Sequence, residues 1–122
     1  SNRATVAQNG SSSTRPSRDN IAAITQNGNS NTATTTQNVN SINNDIAITQ
    51  SGNTNRATVG QDGNASRVSR DNDATITQSG NGNVATIGQS AGSSRESRTN
   101  DAIIQQLGTN GTAIIAQNET RN

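Results

Sequence analysis

Residues 72–89 read NDATITQSGNGNVATIGQ. A strand is expected at Asn72–Gln78, a tight polar turn at Ser79–Gly82 and a second strand at Asn83–Gln89. The skeleton is N-x5-Q-x-G-x2-N-x-A-x3-Q, and it recurs. It starts again at Asn20, with Gln26, Gly28, Asn31, Ala33 and Gln37, and at Asn44, with Gln50, Gly52, Asn55, Ala57 and Gln61. It starts once more at Asn100, with Gln106, Gly108, Ala113 and Gln117; there Gly111 replaces the second Asn. Half a copy, Asn2, Ala4 and Gln8, opens the chain. Self-similarity at a fixed spacing means a stacked array and not a globule.

The whole of 1–122 therefore reads as one repeat domain. A half unit at 2–8 is followed by full units at 20–37, 44–61, 72–89 and 100–117, joined by connectors at 9–19, 38–43, 62–71 and 90–99. The glutamines Gln26, Gln50, Gln78 and Gln106 are 24, 28 and 28 residues apart, and the short step comes from the 38–43 connector. Strand and turn lengths never change, so the connectors are expected to be adjustable loops. Ser1 falls inside what would be a turn. Either residues upstream of Ser1 or a neighbouring molecule is expected to supply the partner of the opening strand.

Composition excludes an ordinary globule. Hydrophobic residues make up 25% of the chain and aromatics 0%, and there is no Cys, Met, His or Lys. A compact core must offset a backbone ordering cost of roughly 1–2 kcal/mol per residue. Here only Ile, Val, Ala and Leu107 are available for it. Low hydrophobicity usually signals disorder, but disordered chains carry high net charge and many prolines. This chain has net charge +1, the single proline Pro16 and a strict period, which favours repetitive β structure. Without Cys there are no disulfides and no thiolate chemistry. No apolar run approaches the roughly 20 residues of a membrane-spanning helix, so no membrane insertion is expected. No stretch reads as a signal peptide, and a start without Met suggests a mature or trimmed product.

Side chains along a strand alternate between two faces. In the first strands one face reads Asn20, Ala22, Ile24, Gln26; Asn44, Ile46, Ile48, Gln50; Asn72, Ala74, Ile76, Gln78; and Asn100, Ala102, Ile104, Gln106. In the second strands it reads Asn31, Ala33, Thr35, Gln37; Asn55, Ala57, Val59, Gln61; Asn83, Ala85, Ile87, Gln89; and Gly111, Ala113, Ile115, Gln117. This face, amide–apolar–apolar–amide, should point inward. Strand–turn–strand units could form antiparallel hairpins or β-arches. The arch explains why inward positions repeat: parallel in-register stacking puts Asn on Asn and Gln on Gln, and their amides bond along the stack as ladders. Such ladders satisfy groups that are costly to bury unpaired. The fold class is thus all-β: a β-solenoid or cross-β stack of β-arches with two facing parallel in-register sheets. The ladder core comprises these amides, and the apolar core is Ile24, Ile48, Val59, Ile76, Ile87, Ile104 and Ile115.

The skeleton closely resembles the curlin repeat, S-x5-Q-x-G-x2-N-x-A-x3-Q. Four full units and a half unit carry it, with Asn20, Asn44, Asn72 and Asn100 where that family usually has Ser. The resemblance implies a secreted subunit of an extracellular functional amyloid. Such a subunit polymerises with itself into fibres of the biofilm matrix at the cell surface, serves adhesion and needs no cofactor. It also implies export through a dedicated outer-membrane pore and seeding by a minor subunit.

Candidate chemistry is sparse. No inward rank of acids supports a carbohydrate-cleaving β-helix enzyme, and no enzyme activity is expected. Asp45, Asp73 and Asp101 repeat at one outward position. They could bind a cation such as Ca²⁺, but Ca²⁺ takes 6–8 oxygen ligands, and a solvated face that discourages lateral pairing is favoured. Gly28, Gly52, Gly80 and Gly108 are expected in turns with φ > 0; no strand–loop–helix context makes them a phosphate loop. Three connectors hold an R-x-x-R pair: Arg15 and Arg18, Arg67 and Arg70, Arg95 and Arg98. These would align into a ridge for anionic matrix components, such as extracellular DNA or polysaccharide. A solubilising edge is favoured, since no aromatic can stack on bases. Outward threonines (Thr32, Thr34, Thr36, Thr58, Thr75, Thr77, Thr86) suggest an alternative, a surface- or ice-binding β-solenoid, although no regular T-x-T rank runs through every unit.

Overall fold

A computed structural model of the chain describes residues 1–10, 17–63, 68–91 and 97–119. The strands are β1 (Arg3–Asn9), β2 (Ile21–Asn29), β3 (Thr32–Asn38), β4 (Ser41–Ile42), β5 (Asp45–Asn53), β6 (Arg56–Asp62), β7 (Ser69–Arg70), β8 (Asp73–Asn81), β9 (Val84–Ala91), β10 (Ser97–Arg98), β11 (Asp101–Thr109) and β12 (Thr112–Glu119). They form three sheets, ordered β1-β3-β6-β9-β12, β2-β5-β8-β11 and β4-β7-β10.

Every pairing is parallel, and each strand lies on its equivalent one unit away. β2 and β3 do not pair with each other, so the unit is an arch, and the chain is a parallel β-solenoid with one coil per unit. Register matches like with like: Ile48↔Ile76↔Ile104 in one sheet, and Ala33↔Ala57↔Ala85↔Ala113 in the other. A slip of one residue would turn every amide and Ile outward, which pins that register.

The core lies between the two long sheets. Ile46, Ile48, Val59, Ile76, Ile87 and Ile104 are buried there with Ala33, Ala57, Ala74, Ala85 and Ala102. Burial of each Ile or Val contributes about 1.5–3 kcal/mol. Ile24 and Ile115, in the first and last coils, pack against this cluster but are only partly buried. Val6 sits on the inward face of β1 yet is 50% exposed, because β1 is an edge strand.

Two features differ from the sequence expectation. The expected four-residue turn is shorter. β8 stays paired through Asn81, and the corner is turned at Gly82 (φ +69°), with Ser30, Thr54 and Asn110 at the same place (φ +56° to +57°). Gly80 does have φ +115°, but inside the paired end of the strand. A Cβ there would collide with the Gly108 carbonyl of the next coil, so close stacking as well as φ requires glycine.

The second difference is a third side. The connectors are not wholly adjustable loops. β4, β7 and β10 pair as Ser41↔Ser69↔Ser97, and the bridge Arg18↔Ile42 extends that column to the first connector. Asn38 and Ser41 are three positions apart, whereas their partners Asp62 and Ser69 are seven apart. The four extra residues of the longer step thus enter before the third side, which stays constant. Val68 and Ala91, both from connectors, are buried.

Candidate functional site: the amide columns and the coil ends

Two glutamine columns run the length of the solenoid. In one, Gln26 Nε2 donates to Gln50 Oε1 (2.8 Å), Gln50 to Gln78 (2.9 Å) and Gln78 to Gln106 (2.8 Å). In the other, Gln8 donates to Gln37 (2.8 Å), Gln37 to Gln61 (3.0 Å), Gln61 to Gln89 (2.9 Å) and Gln89 to Gln117 (2.8 Å). These amides also bond the backbone across the arch: Gln61 Nε2 donates to the carbonyls of Asn72 (2.6 Å) and Asp45 (3.2 Å). The side chains of Gln37, Gln50, Gln61, Gln78 and Gln89 are fully enclosed. Their bonds offset a desolvation cost of about 1–3 kcal/mol that each unpaired amide would carry.

Asparagines form a second kind of column, in which side chain bonds backbone. Asn55 Oδ1 accepts from the Asn83 N–H (3.0 Å), while its Nδ2 donates to the Ser51 carbonyl of its own arch (3.2 Å) and the Gly80 carbonyl of the next coil (2.8 Å). Asn31 and Asn83 do the same, and Asn83 Oδ1 meets the N–H of Gly111 (2.9 Å). The leading asparagines link corresponding coils: Asn44 accepts from the N–H of Asn72, and Asn72 from that of Asn100. Asn31, Asn44, Asn55, Asn72 and Asn83 are buried; Asn20, Gln26, Asn100, Gln106 and Gln117, in the terminal coils, are half-buried.

Sequence reasoning missed the serines of the third side. Asn44 Nδ2 donates to Ser41 Oγ (2.7 Å), and Asn72 Nδ2 to Ser69 Oγ (2.9 Å). The signal was present as S-x-x-N, at Ser17–Asn20, Ser41–Asn44, Ser69–Asn72 and Ser97–Asn100. Its third residue has φ between +51° and +54° in every copy, which turns the chain into the next coil. Among the described residues, Thr35 Oγ1 is buried without a hydrogen-bond partner, at an inward position that holds Val59 or Ile87 in later coils.

The outward candidates are placed as follows. Arg18, Arg70 and Arg98 share one column on the third side, interrupted by Ile42. Arg15, Arg67 and Arg95 lie outside the described residues. Arg18 Nε is 3.9 Å from Asp19. Asp45, Asp73 and Asp101 stack directly, with Ile21 heading the column. Burial first, then the flanking carboxylates of Asp45 and Asp101, raises the Asp73 carboxyl above its ordinary value. Among the described residues no cluster of three or more His, Cys, Asp or Glu could hold a metal ion.

The columns have direction. Along both glutamine columns the amide NH2 points toward the C-terminal coil. At the β1/β2 end, Gln8 and Gln26 present amide oxygens that accept nothing among the described residues; at the β11/β12 end, Gln106 and Gln117 present NH2 groups. One end offers acceptors and the other donors, each beside an unpaired parallel strand edge.

This architecture defines a class: a parallel β-solenoid of stacked arches, internally wired by amide ladders and open at both ends. Within it, the family model described as Curlin associated repeat matches residues 43–69 and 70–96. Those two stretches, 54 of the 122 residues, match the curlin repeat. No curated protein and no solved structure matches it significantly.

Proposed function

We propose that the chain is the structural subunit of an extracellular functional amyloid fibre and that it grows by head-to-tail stacking. The observation that carries this reading is the complementarity of the ends. β12 and β1 carry the same second-strand pattern, so the β1 edge of a second copy fits on β12, Gln8 Oε1 receiving the NH2 of Gln117. Such a contact is heterologous and does not close, so it propagates a filament. Unpaired parallel edges are templates of this kind. The curlin repeat and the solenoid fit a curli-like subunit; secretion, a place in the biofilm matrix and a role in adhesion follow from that likeness. The subunit acts as a material and not as an enzyme, and its principal partner is itself. Anionic matrix polymers are a second partner class, resting on the column of Arg18, Arg70 and Arg98; their binding should weaken as salt rises.

The test is electron microscopy and fibre diffraction of the purified protein. Five levels at about 4.8 Å each predict strands across the axis and a subunit repeat near 24 Å. Strands running along the axis, or a persistent soluble folded monomer at high concentration, would refute the reading.

A further inference from the structure

The asparagine column of the second strands stops one coil short. Asn2, Asn31, Asn55 and Asn83 each place an amide oxygen under the N–H of the next coil, at 2.9–3.0 Å. The next position in that column is Gly111. Its N–H is received by Asn83, but it has no side chain to receive anything in turn. It also lacks the brace across the arch that Asn55 makes to Ser51. Whatever strand lies on β12 therefore meets a face without the side-chain acceptor that the junctions inside the chain have in this column.

The glycine is not required by the backbone. Gly111 has no positive φ. A Cβ there would meet the ends of two flexible side chains, Asn83 Oδ1 and Gln106 Nε2, each at 3.2 Å. The equivalent positions in the preceding coils hold Asn in the same stack, so an asparagine fits this site with a shift of a few tenths of an ångström. Gly28, Gly52 and Gly80 behave differently: positive φ and the next coil's carbonyl demand glycine at each of them.

We propose that Gly111 makes the junction between subunits weaker than the coil junctions inside a subunit. The partner is a second copy of this chain, and the missing bond is the one that would receive the N–H of its Asn2. The inference rests on the head-to-tail stacking proposed above. Gly111 then sets where a fibre breaks and how readily its β11/β12 end loses a subunit, with no change to the rest of the ladder. The glutamine column of the second strands still crosses the junction, from Gln117 to the Gln8 of the next copy, so subunits still join.

The experiment compares wild type, Gly111→Asn and Gly111→Ala by critical concentration and by fibre fragmentation under shear. Relative to Gly111→Ala, Gly111→Asn should lower the critical concentration roughly fivefold, the worth of about one net hydrogen bond. It should also lengthen the sheared fibres. Gly111→Ala, which adds a Cβ without an amide, should lower the critical concentration relative to wild type by about two- to fivefold, through the unfolded chain alone. Asn83→Gly is an independent check, because it moves the same gap inside the chain. Amide hydrogen exchange along β12 in those fibres should then quicken relative to wild type. Fibres of Gly111→Asn that match those of Gly111→Ala, or unchanged exchange in Asn83→Gly, overturn this inference and leave the stacking intact. A wild-type chain that forms no fibres overturns the stacking, and this inference with it.

Discussion

The coil holding residues 72–89 and the coil holding residues 100–117 share one skeleton but differ in finish. In the first, Asn72, Gln78, Asn83 and Gln89 are all buried and each bonds the coils on both sides. Its exposed outward residues include Asp73, and Val84 is only 37% exposed. In the second, Gly111 ends one column, and Thr109 stands where Asn53 and Asn81 accept backbone N–H groups. Ile103, Leu107 and Ile114 are 70–75% exposed, paired with Thr75, Ser79 and Thr86 of the coil beneath. The skeleton fixes how a coil folds; the positions outside it decide what the coil meets.

Replacing a ladder amide separates the two regions most sharply. Gln78→Leu leaves one N–H of Gln50 Nε2 without its acceptor, the other still bonding the Thr32 carbonyl, and leaves Gln106 Oε1 without its donor. Each orphaned group costs about 1–3 kcal/mol. Within one chain Gln117→Leu deprives only Gln89, whose NH2 keeps the carbonyls of Asp73 and Asn100; across the proposed junction it also removes the donor to Gln8 of the next copy. The critical concentration for assembly should therefore rise by two orders of magnitude or so for Gln78→Leu, and by about tenfold for Gln117→Leu, which leaves one partly exposed acceptor unpaired. Equal effects would mean that neighbours do not wire the interior coil more tightly than the end.

An opposite effect is expected where an interior coil is imperfect. Thr35 is 1% exposed and its hydroxyl is unpaired, next to Val59 in the same column. Thr35→Val keeps the shape and removes the orphan. Resistance of the assembled protein to urea should rise by about 1 kcal/mol. A loss of stability would show that the hydroxyl has a partner in solution, such as an ordered water.

Much of this architecture is legible in the residues, for a physical reason. A period of two marks a strand, and identity at fixed spacing marks what each strand lies on. Together they give arch, register and inward face, as with Ile48, Ile76 and Ile104. The third side is not legible that way. Ser41–Ile42 and Ser69–Arg70 are two residues long, too short for any alternation, and the outward member changes from Ile to Arg. Only the S-x-x-N spacing marks them, inside a stretch whose polarity suggests a loop. The glycine at Gly80 misleads in the other direction. Positive φ is usual in turns, but here it belongs to a paired strand residue against which the carbonyl of the next coil packs. Exposure at the ends, as at Val6, depends on what covers the last coil, which alternation does not encode.

The smallest effect expected is a pH dependence that distinguishes flanked from terminal carboxylates. Asp73 lies between Asp45 and Asp101; Asp101 is flanked by Asp73 on one side only. Burial and then those two charges hold the folded Asp73 carboxyl above the unfolded value of 3.8. Burial likewise raises Asp62, against the opposing hydrogen bonds from Asn38. An acid whose folded value is raised disfavours the fold while ionised, at pH above that value. As pH falls through it toward 3.8 the penalty is relieved, and below 3.8 the gain levels off. Assembly should thus strengthen modestly from about pH 7 to about pH 4. The change is small, about twofold in critical concentration, because the column is exposed and screened by solvent. Asp73→Asn should strengthen assembly at neutral pH and flatten the profile. Asp101→Asn, which removes one flank, should do the same to a smaller extent. Assembly that weakens as pH falls over that range would mean that the column does not repel in the stack, and that another group governs the response.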